Sequence, residues 1–232
     1  MEYHNPVLLH PTVDGLDIKP DGIYVDVTFG GGGHSKEILR RLGPNGKLFA
    51  FDQDEDALAN ALPDERFTLI NENFRFIKRF LRFYGVKGVD GILADLGVSS
   101  HQFDVAERGF STRFDAGLDM RMSQKNDLSA YRVVNEYDDA NLRRVFFDYG
   151  ELKNAPALSR TIIEAREQHL IKTTDELKDV LAKYLPERIR NKILAQIYQA
   201  IRIEVNQEMD VLKEFLEQSL EVLNPGGSLS VI

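Results

Sequence analysis

The first hundred residues alternate between strand-like and helix-like runs, and this alternation constrains the fold more than any other feature. Four apolar runs predict buried strands, at residues 22–29, 47–52, 67–70 and 89–96. The runs between them predict helices, at residues 35–42, 55–62 and 74–84. Such an order predicts a parallel sheet with right-handed crossovers. Because ligands of these sheets bind beyond the carboxyl ends of the strands, the residues that follow each strand are the first candidates for a site.

The alternation stops after the fourth predicted strand. Residues 97–126 form a long, polar, turn-rich stretch, and a stretch of this length within a compact domain is usually functional. Only helical periodicity follows until about Val205, and it includes the capping-box pattern Thr173-x-x-Glu176. An amphipathic helix over residues 208–223 and a strand from Ser228 then restore the α/β order.

This pattern predicts an α/β core that is interrupted by an all-helical domain. We place the two parts of the core at residues 1–105 and 203–232, and the inserted, substrate-recognising domain at residues 106–202. The last predicted strand runs into Ile232, where the chain ends. We therefore expect a piece of a longer protein, from which C-terminal strands of the sheet are missing.

Composition excludes several classes of site. The chain of 232 residues is 43% hydrophobic and 28% charged, which is typical of a soluble globular protein. It has no cysteine, which excludes disulfides, thiolate zinc sites and cysteine nucleophiles, and its five histidines lack metal-ligand spacing. No signal peptide or apolar stretch of about 18 residues is present, so we expect no membrane span and a cytoplasmic location.

The net charge of −8 gives the chain no general attraction to nucleic acid. Any contact with RNA must therefore use a local basic patch.

Four consecutive glycines, Gly30 to Gly33, follow the first predicted strand, and Asp52 closes the second. Glycine allows a sharp turn and a close approach of the backbone to a ligand, and an acidic residue at the end of the second strand can accept hydrogen bonds from ribose hydroxyls. The separation of Gly32 and Asp52 matches a dinucleotide fingerprint. Ser35, however, stands where that fingerprint has its third glycine, which favours a methyl-donor cofactor because no pyrophosphate has to lie on the helix start. A nicotinamide-dependent oxidoreductase and a ligand-free turn remain alternatives.

Further motifs are more specific. They are Thr-Phe-Gly at 28–30, Gly-Gly-His-Ser at 32–35, Asp-Leu-Gly-Val-Ser-Ser at 95–100, Glu-Arg-Gly-Phe-Ser at 107–111, Leu-Asp-Met-Arg-Met at 118–122 and Gln-Ala-Ile-Arg-Ile-Glu-Val-Asn at 199–206. In this order and spacing they resemble the ribosomal small-subunit methyltransferase H family, also called MraW. The resemblance implies a Rossmann-like class I methyltransferase core with a helical insert. It also implies transfer of a methyl group from S-adenosylmethionine to the N4 amine of a cytidine in 16S rRNA.

The resemblance also implies roles for individual residues. Those expected to contact the cofactor are Gly32, Gly33, His34, Asp52, Phe74, Asp95 and Gln102. Asp95 is also the expected catalytic residue, orienting the target amine, and its alternative role is to contact only the cofactor. Those expected to contact RNA are Arg108, Arg121 and Arg202, whose alternative role is in internal ion pairs. For Phe74 the alternative is a core side chain.

The chain departs from the family pattern at two loop positions, at its end and in the segment 149–152, which keeps only the start of its usual motif. His101 replaces the usual proline, Phe103 replaces the usual leucine, and the chain ends before a further Ser-aromatic-His-Ser-Leu-Glu-Asp-Arg motif. A cofactor- or RNA-binding fragment without activity is therefore an alternative to an active enzyme, and a methyltransferase of small molecules is another. A homodimer is left open.

Overall fold

The computed structural model describes residues 6–232 and divides into two compact units. One unit comprises the residues up to His101 together with Asp210–Ile232, and the other comprises Gln102–Met209. The helical insert was predicted over residues 106–202. Its predicted role in recognising the substrate stays a prediction. Within residues 6–232, none of the helices combines the length and the apolar composition needed to cross a bilayer.

The first unit is built on a sheet of five parallel strands in the order β3-β2-β1-β4-β5. The strands are β1 Ile23–Asp26, β2 Lys47–Phe51, β3 Phe67–Ile70, β4 Val89–Ala94 and β5 Leu223–Val231. The chain leaves β1 towards β2 and β3 on one side and returns to β4 and β5 on the other. The carboxyl ends of β1 and β4 therefore form the switch point at which ligands of such sheets bind. The predicted α/β fold with a parallel sheet is confirmed.

The α-helices of residues 6–232 are α1 Leu9–Asp14, α2 Gly33–Arg41, α3 Ile77–Phe83, α4 Ser100–Asp104, α5 Ala130–Glu136, α6 Asp139–Arg144, α7 Ala155–Gln168, α8 Thr174–Val180, α9 Arg190–Asn206 and α10 Glu208–Val222.

Apolar side chains alternate between the two faces of the sheet, because successive residues of a strand point to opposite sides. Val25 and Phe49 pack with Ile77 of α3 and Phe215 of α10 in one buried cluster. Tyr24 and Leu48, their neighbours in the chain, pack in a second cluster that the structure forms with α1 and α2. Both faces are thus covered by helices, as a parallel sheet requires.

Three predicted elements differ in detail. The helix predicted over residues 55–62 is a 3-10 helix at Glu55–Asn60, and the one predicted over 74–84 begins with a 3-10 turn at Phe74–Phe76 before α3. Strand β5 begins at Leu223 rather than Ser228, because Leu223 already pairs with Val89. The register then shifts, and regular pairing resumes where Ser228 lies opposite Gly91. The Asn-Pro-Gly-Gly sequence at 224–227, which was predicted to separate the helix from the strand, therefore forms an irregularity within the strand.

The second unit is helical, as predicted, and its helices include a π-helix. The capping box at the start of α8 is confirmed, since the Thr173 side chain accepts from the Glu176 N–H and the Glu176 side chain accepts from the Thr173 N–H. A π-helix at Val145–Tyr149 follows α6 directly. Asn206, at the end of α9, accepts from the Met122 N–H at 2.7 Å and donates to the Met120 carbonyl at 2.8 Å. These bonds tie the turn-rich stretch to the longest helix of the unit.

Candidate active site

The glycine run forms a tight turn between β1 and α2. Gly30 and Gly32 adopt φ angles of 51° and 75°, in the left-handed region that favours glycine. Gly32 precedes the first residue of α2, and its N–H donates to the Phe29 carbonyl at 2.8 Å. A Cβ at Gly32 would lie 2.9 Å from the Phe29 ring, closer than real Cβ contacts. Conformation and space therefore both require glycine there.

A segment from the start of the described chain packs on this turn. A Cβ at Gly33 would overlap Cγ of Pro6. Nε2 of the buried His34 lies 3.2 Å from the Val7 carbonyl oxygen. Since a carbonyl only accepts, Nε2 donates in this contact. The segment of Pro6 and Val7 thus contacts the first residues of α2.

Asp52 follows β2 and binds the glycine turn. Its Oδ2 accepts from the Gly30 N–H at 2.7 Å, and its Oδ1 accepts from the Asp54 N–H at 2.9 Å. Burial raises the pKa of Asp52 to about 6, although the two backbone hydrogen bonds oppose the shift. An ionised carboxylate has about four acceptor sites, so each oxygen keeps capacity for a further hydrogen bond. Asp52 can therefore accept a ligand hydroxyl in addition to shaping the turn.

Asp95 follows β4, across the switch point from the glycine turn. Its backbone N–H donates to Oγ1 of Thr28 at 2.7 Å. Its side chain is 37% exposed, and Oδ2 lies 4.0 Å from Nδ1 of His34. Burial raises the pKa of Asp95, and His34 lowers it by a smaller amount. Among residues 6–232, no donor lies within hydrogen-bonding distance of this carboxylate, which therefore has acceptor capacity for a ligand.

Asp26, at the end of β1, is a site residue that the sequence analysis missed. It is fully buried, accepts from Ser35 Oγ at 2.7 Å and accepts from the Thr28 N–H at 3.1 Å. Burial raises its pKa, and Asp95 adds to the rise. A charged residue inside the otherwise apolar run 22–29 was the signal that could have identified it. Asp26, Asp52 and Asp95 thus end three neighbouring strands, and of these Asp52 and Asp95 keep acceptor capacity for a ligand.

Phe74 opens the 3-10 turn after β3 and is partly buried. Its ring meets the Phe215 ring edge to face, with centroids 5.2 Å apart. This contact places Phe74 against the core cluster of the sheet, as the alternative for this residue anticipated. Its role in cofactor binding stays a prediction.

The remaining predicted site residues belong to the second unit. Gln102 is buried there, in α4. Arg108 is buried and donates through Nη2 to the Arg121 and Met122 carbonyls. Arg121 forms a bidentate pair with Asp119, and Arg202 forms one with Glu208. The structure therefore gives all three arginines contacts within their own unit, and their contact with RNA stays a prediction.

Metal chemistry has no preformed site in the part of the chain that the structure describes. Within residues 6–232, no group of three or more histidine, aspartate or glutamate side chains could hold an ion.

Known proteins are similar to this chain over its whole length. The MraW methylase family matches over residues 1–232. A Flavobacterium johnsoniae protein named ribosomal RNA small subunit methyltransferase H is 89% identical over 232 residues, which are 100% of this chain and 77% of that protein. Proteins of the same name from Phocaeicola vulgatus and Bacteroides thetaiotaomicron are 54% and 52% identical; they cover 99% and 100% of this chain, and the chain covers 76% of each.

Proposed function

Because the chain belongs to the MraW methylase family, we propose that it methylates the N4 amine of a cytidine in the 16S rRNA of the small ribosomal subunit, with S-adenosylmethionine as the methyl donor. The relatives are named as ribosomal RNA small subunit methyltransferases, which supports the substrate class. The family description, a methylase, argues against the nicotinamide-dependent oxidoreductase that the glycine run left open.

The residues at the strand ends fit this cofactor. S-adenosylmethionine carries ribose hydroxyls, an ammonium group and a sulfonium, and when bound it supplies an electrophilic methyl group on positively charged sulfur. Asp52 keeps acceptor capacity beside a turn whose glycines bring no Cβ towards a ligand. Asp95 has a carboxylate to which no donor of residues 6–232 bonds. The carboxylates of Asp52 and Asp95 can accept hydrogen bonds from the hydroxyl and ammonium groups of the cofactor.

The single observation that carries the catalytic proposal is the Asp95 carboxylate, half-exposed at the switch point and without a hydrogen-bond donor among residues 6–232. The N4 lone pair of cytidine is delocalised into the ring, which makes the amine a poor nucleophile. An acceptor on its N–H favours the pyramidal, more nucleophilic nitrogen and stabilises the charge that develops on it. Asp95 accepts that hydrogen bond, and the proton that nitrogen loses passes to Asp95 or to water.

His34 contributes to the same step through Asp95. Its Nε2 donates to the Val7 carbonyl, so Nδ1 faces the Asp95 carboxylate at 4.0 Å. The proximity of His34 lowers the pKa of Asp95, which favours the ionised carboxylate, the better acceptor. In this proposal His34 is a positioning residue, and its backbone at the start of α2 is its contact with the cofactor.

The experiment is a methyl-transfer assay on small subunits that lack the modification, followed by nuclease digestion and mass spectrometry. The chain and its Asp21→Ala variant, which alters an exposed carboxylate before β1, should form N4-methylcytidine. Asp95→Ala should lower the rate by roughly 100-fold or more, the usual size of a general acid–base contribution. Methylation at another atom, or unchanged methylation by Asp95→Ala, would contradict the proposal.

A parallel assay with the longer Flavobacterium johnsoniae relative addresses the alternative of a binding fragment. If that relative methylates small subunits and this chain only binds S-adenosylmethionine in calorimetry, the fragment alternative is correct.

Activity on RNA also favours a cytoplasmic location. The homodimer stays a prediction, which sedimentation of the chain can test.

A further inference from the structure

A groove of about 320 Å³ lies along α3 in the first unit. Its lining residues are Lys78, Arg79, Arg82 and Gln218. Three of these four are cations, and all three belong to the same short helix. Like charges this close together repel one another, and negative charge beside them reduces the repulsion.

Two of the three cations form no ion pair with the described residues 6–232. Lys78 pairs with Glu221 of α10, and Arg75, just before α3, pairs with Glu214 at 2.5 Å. Within residues 6–232, Arg79 and Arg82 form no ion pair, and both are exposed. The groove therefore presents two guanidinium groups to solvent.

Aromatic side chains lie at the end of the same helix. Phe83 is 78% exposed and Tyr84 is 44% exposed, although both are large apolar groups. Their rings meet edge to face with centroids 5.2 Å apart. A face of Phe83 is thus open to a planar partner, one residue beyond Arg82.

We infer that the α3 groove, with Phe83 beside it, binds a single-stranded or loop segment of rRNA through its phosphates and one stacked base. This inference rests on the proposed function, which supplies rRNA as the substrate. Arginine forks match phosphate oxygens bidentately. Single-stranded RNA is recognised by combining such cations with aromatic surfaces for unstacked bases. An acidic peptide would satisfy the cations alone and would leave the adjacent exposed ring unused.

The first experiment measures binding of the full chain to a fluorescent single-stranded 16S rRNA fragment over a series of salt concentrations. Each phosphate contact to single-stranded nucleic acid contributes about 0.7 to the slope of log affinity against log salt. The Arg79→Gln/Arg82→Gln variant should therefore lower the slope by about 1.4 and weaken binding several-fold at low salt. Lys47→Gln is the matched control, since Lys47 is exposed, begins β2 and forms no ion pair among residues 6–232. It should leave the slope unchanged.

The second experiment separates stacking from charge. Phe83→Ala should weaken binding to the single-stranded fragment while the salt slope stays the same, because no charge is removed. Thermal stability and affinity for S-adenosylmethionine are also measured for every variant. Unchanged values of both show that the altered side chains affect neither folding nor the cofactor site.

Each other result overturns the inference in a different way. If the double variant keeps the salt slope of the parent chain, and the parent chain binds RNA, then the groove does not contact RNA. The proposed function is unaffected by that result. If the double variant loses as much affinity for poly-glutamate as for RNA, the groove is a binding site for acidic peptides. If Phe83→Ala binds the RNA fragment with the affinity of the parent chain, Phe83 does not stack on a base. A parent chain that neither binds nor methylates RNA overturns the proposed function and the inference together.

Discussion

The backbone N–H of Gly30 donates a hydrogen bond of 2.7 Å to Oδ2 of Asp52, and this bond joins the turn after β1 to the end of β2. Asn60 adds a second link, since its side-chain amide donates to the Gly30 carbonyl at 3.0 Å. The glycine turn and the acidic residue that the sequence predicts as separate cofactor contacts therefore hold each other in place. A ligand that binds there meets a site that is already formed.

The pKa of Asp52 gives a prediction about stability and pH. Burial raises this pKa from 3.8 to about 6, so the folded protein holds the proton more tightly than the unfolded chain. The resulting stability is fully present below the unfolded value and is lost as pH rises through about 6. In urea unfolding followed by circular dichroism, Asp52→Asn should reduce the fall of the unfolding free energy over this range, by up to about 3 kcal/mol. Asp26 and Asp95 are present in both proteins, so the difference between their two falls in unfolding free energy is due to Asp52. An identical fall in both would contradict the prediction.

Asp52 should also contribute to cofactor affinity. Removing an acceptor from a buried hydrogen bond costs about 1–3 kcal/mol. We therefore expect Asp52→Ala to weaken S-adenosylmethionine binding roughly tenfold or more in isothermal titration calorimetry. Asp21→Ala, which alters an exposed carboxylate, is the control and should bind normally. Equal affinities of the two variants would exclude Asp52 as a cofactor contact.

The glycine turn allows a matched pair of substitutions. Gly32 and Gly85 both have positive φ angles, 75° and 72°, but a Cβ at Gly85 meets nothing within 4 Å. Gly85→Ala should therefore lower the unfolding free energy by about 1–2 kcal/mol through the backbone alone. Gly32→Ala should cost more, because its Cβ also collides with the Phe29 ring. Thermal unfolding of the two variants measures the difference, and equal losses would mean that the ring moves without cost.

Asn206 should be important for the stability of the second unit. Its side chain is buried and satisfies both the Met122 N–H and the Met120 carbonyl. Asn206→Ala leaves both backbone groups without this partner, so we expect the unfolding free energy to fall by about 2–4 kcal/mol. Asn191→Ala, at an exposed position of α9, should change it by less than about 0.5 kcal/mol. Denaturant titration of both variants tests this, and similar midpoints would contradict it.

Arg108 distinguishes a structural arginine from one that binds RNA. Because its guanidinium is buried and donates to two carbonyls, Arg108→Gln should lower the unfolding free energy by about 2–3 kcal/mol. The exposed Arg113 is the control, and Arg113→Gln should leave stability unchanged. The RNA role predicted for Arg108 instead requires a smaller salt slope of RNA binding at unchanged stability. Measuring both quantities on both variants decides between the two roles.

Much of the fold follows from patterns that act over short distances in the chain. The alternation of apolar runs predicted four parallel strands, and their order is confirmed with small changes at the ends. The Thr173 capping box is equally local, because it needs only residues within one helical turn. By contrast, the early start of β5 depends on Leu223 meeting Val89, a contact between residues far apart in the chain.

The sequence by itself determined the sheet, the glycine turn, the carboxylates at Asp52 and Asp95, and the family, because periodicity, glycine conformation and motif spacing are properties of the chain. Only the tertiary structure decided what those carboxylates bond to and that the buried Asp26 joins them. It also decided which cations are paired, as Arg202 is, and which, like Arg79, form no ion pair among residues 6–232. Hydrogen bonds, burial and ion pairs depend on distances between residues that are remote in sequence, and folding alone sets those distances.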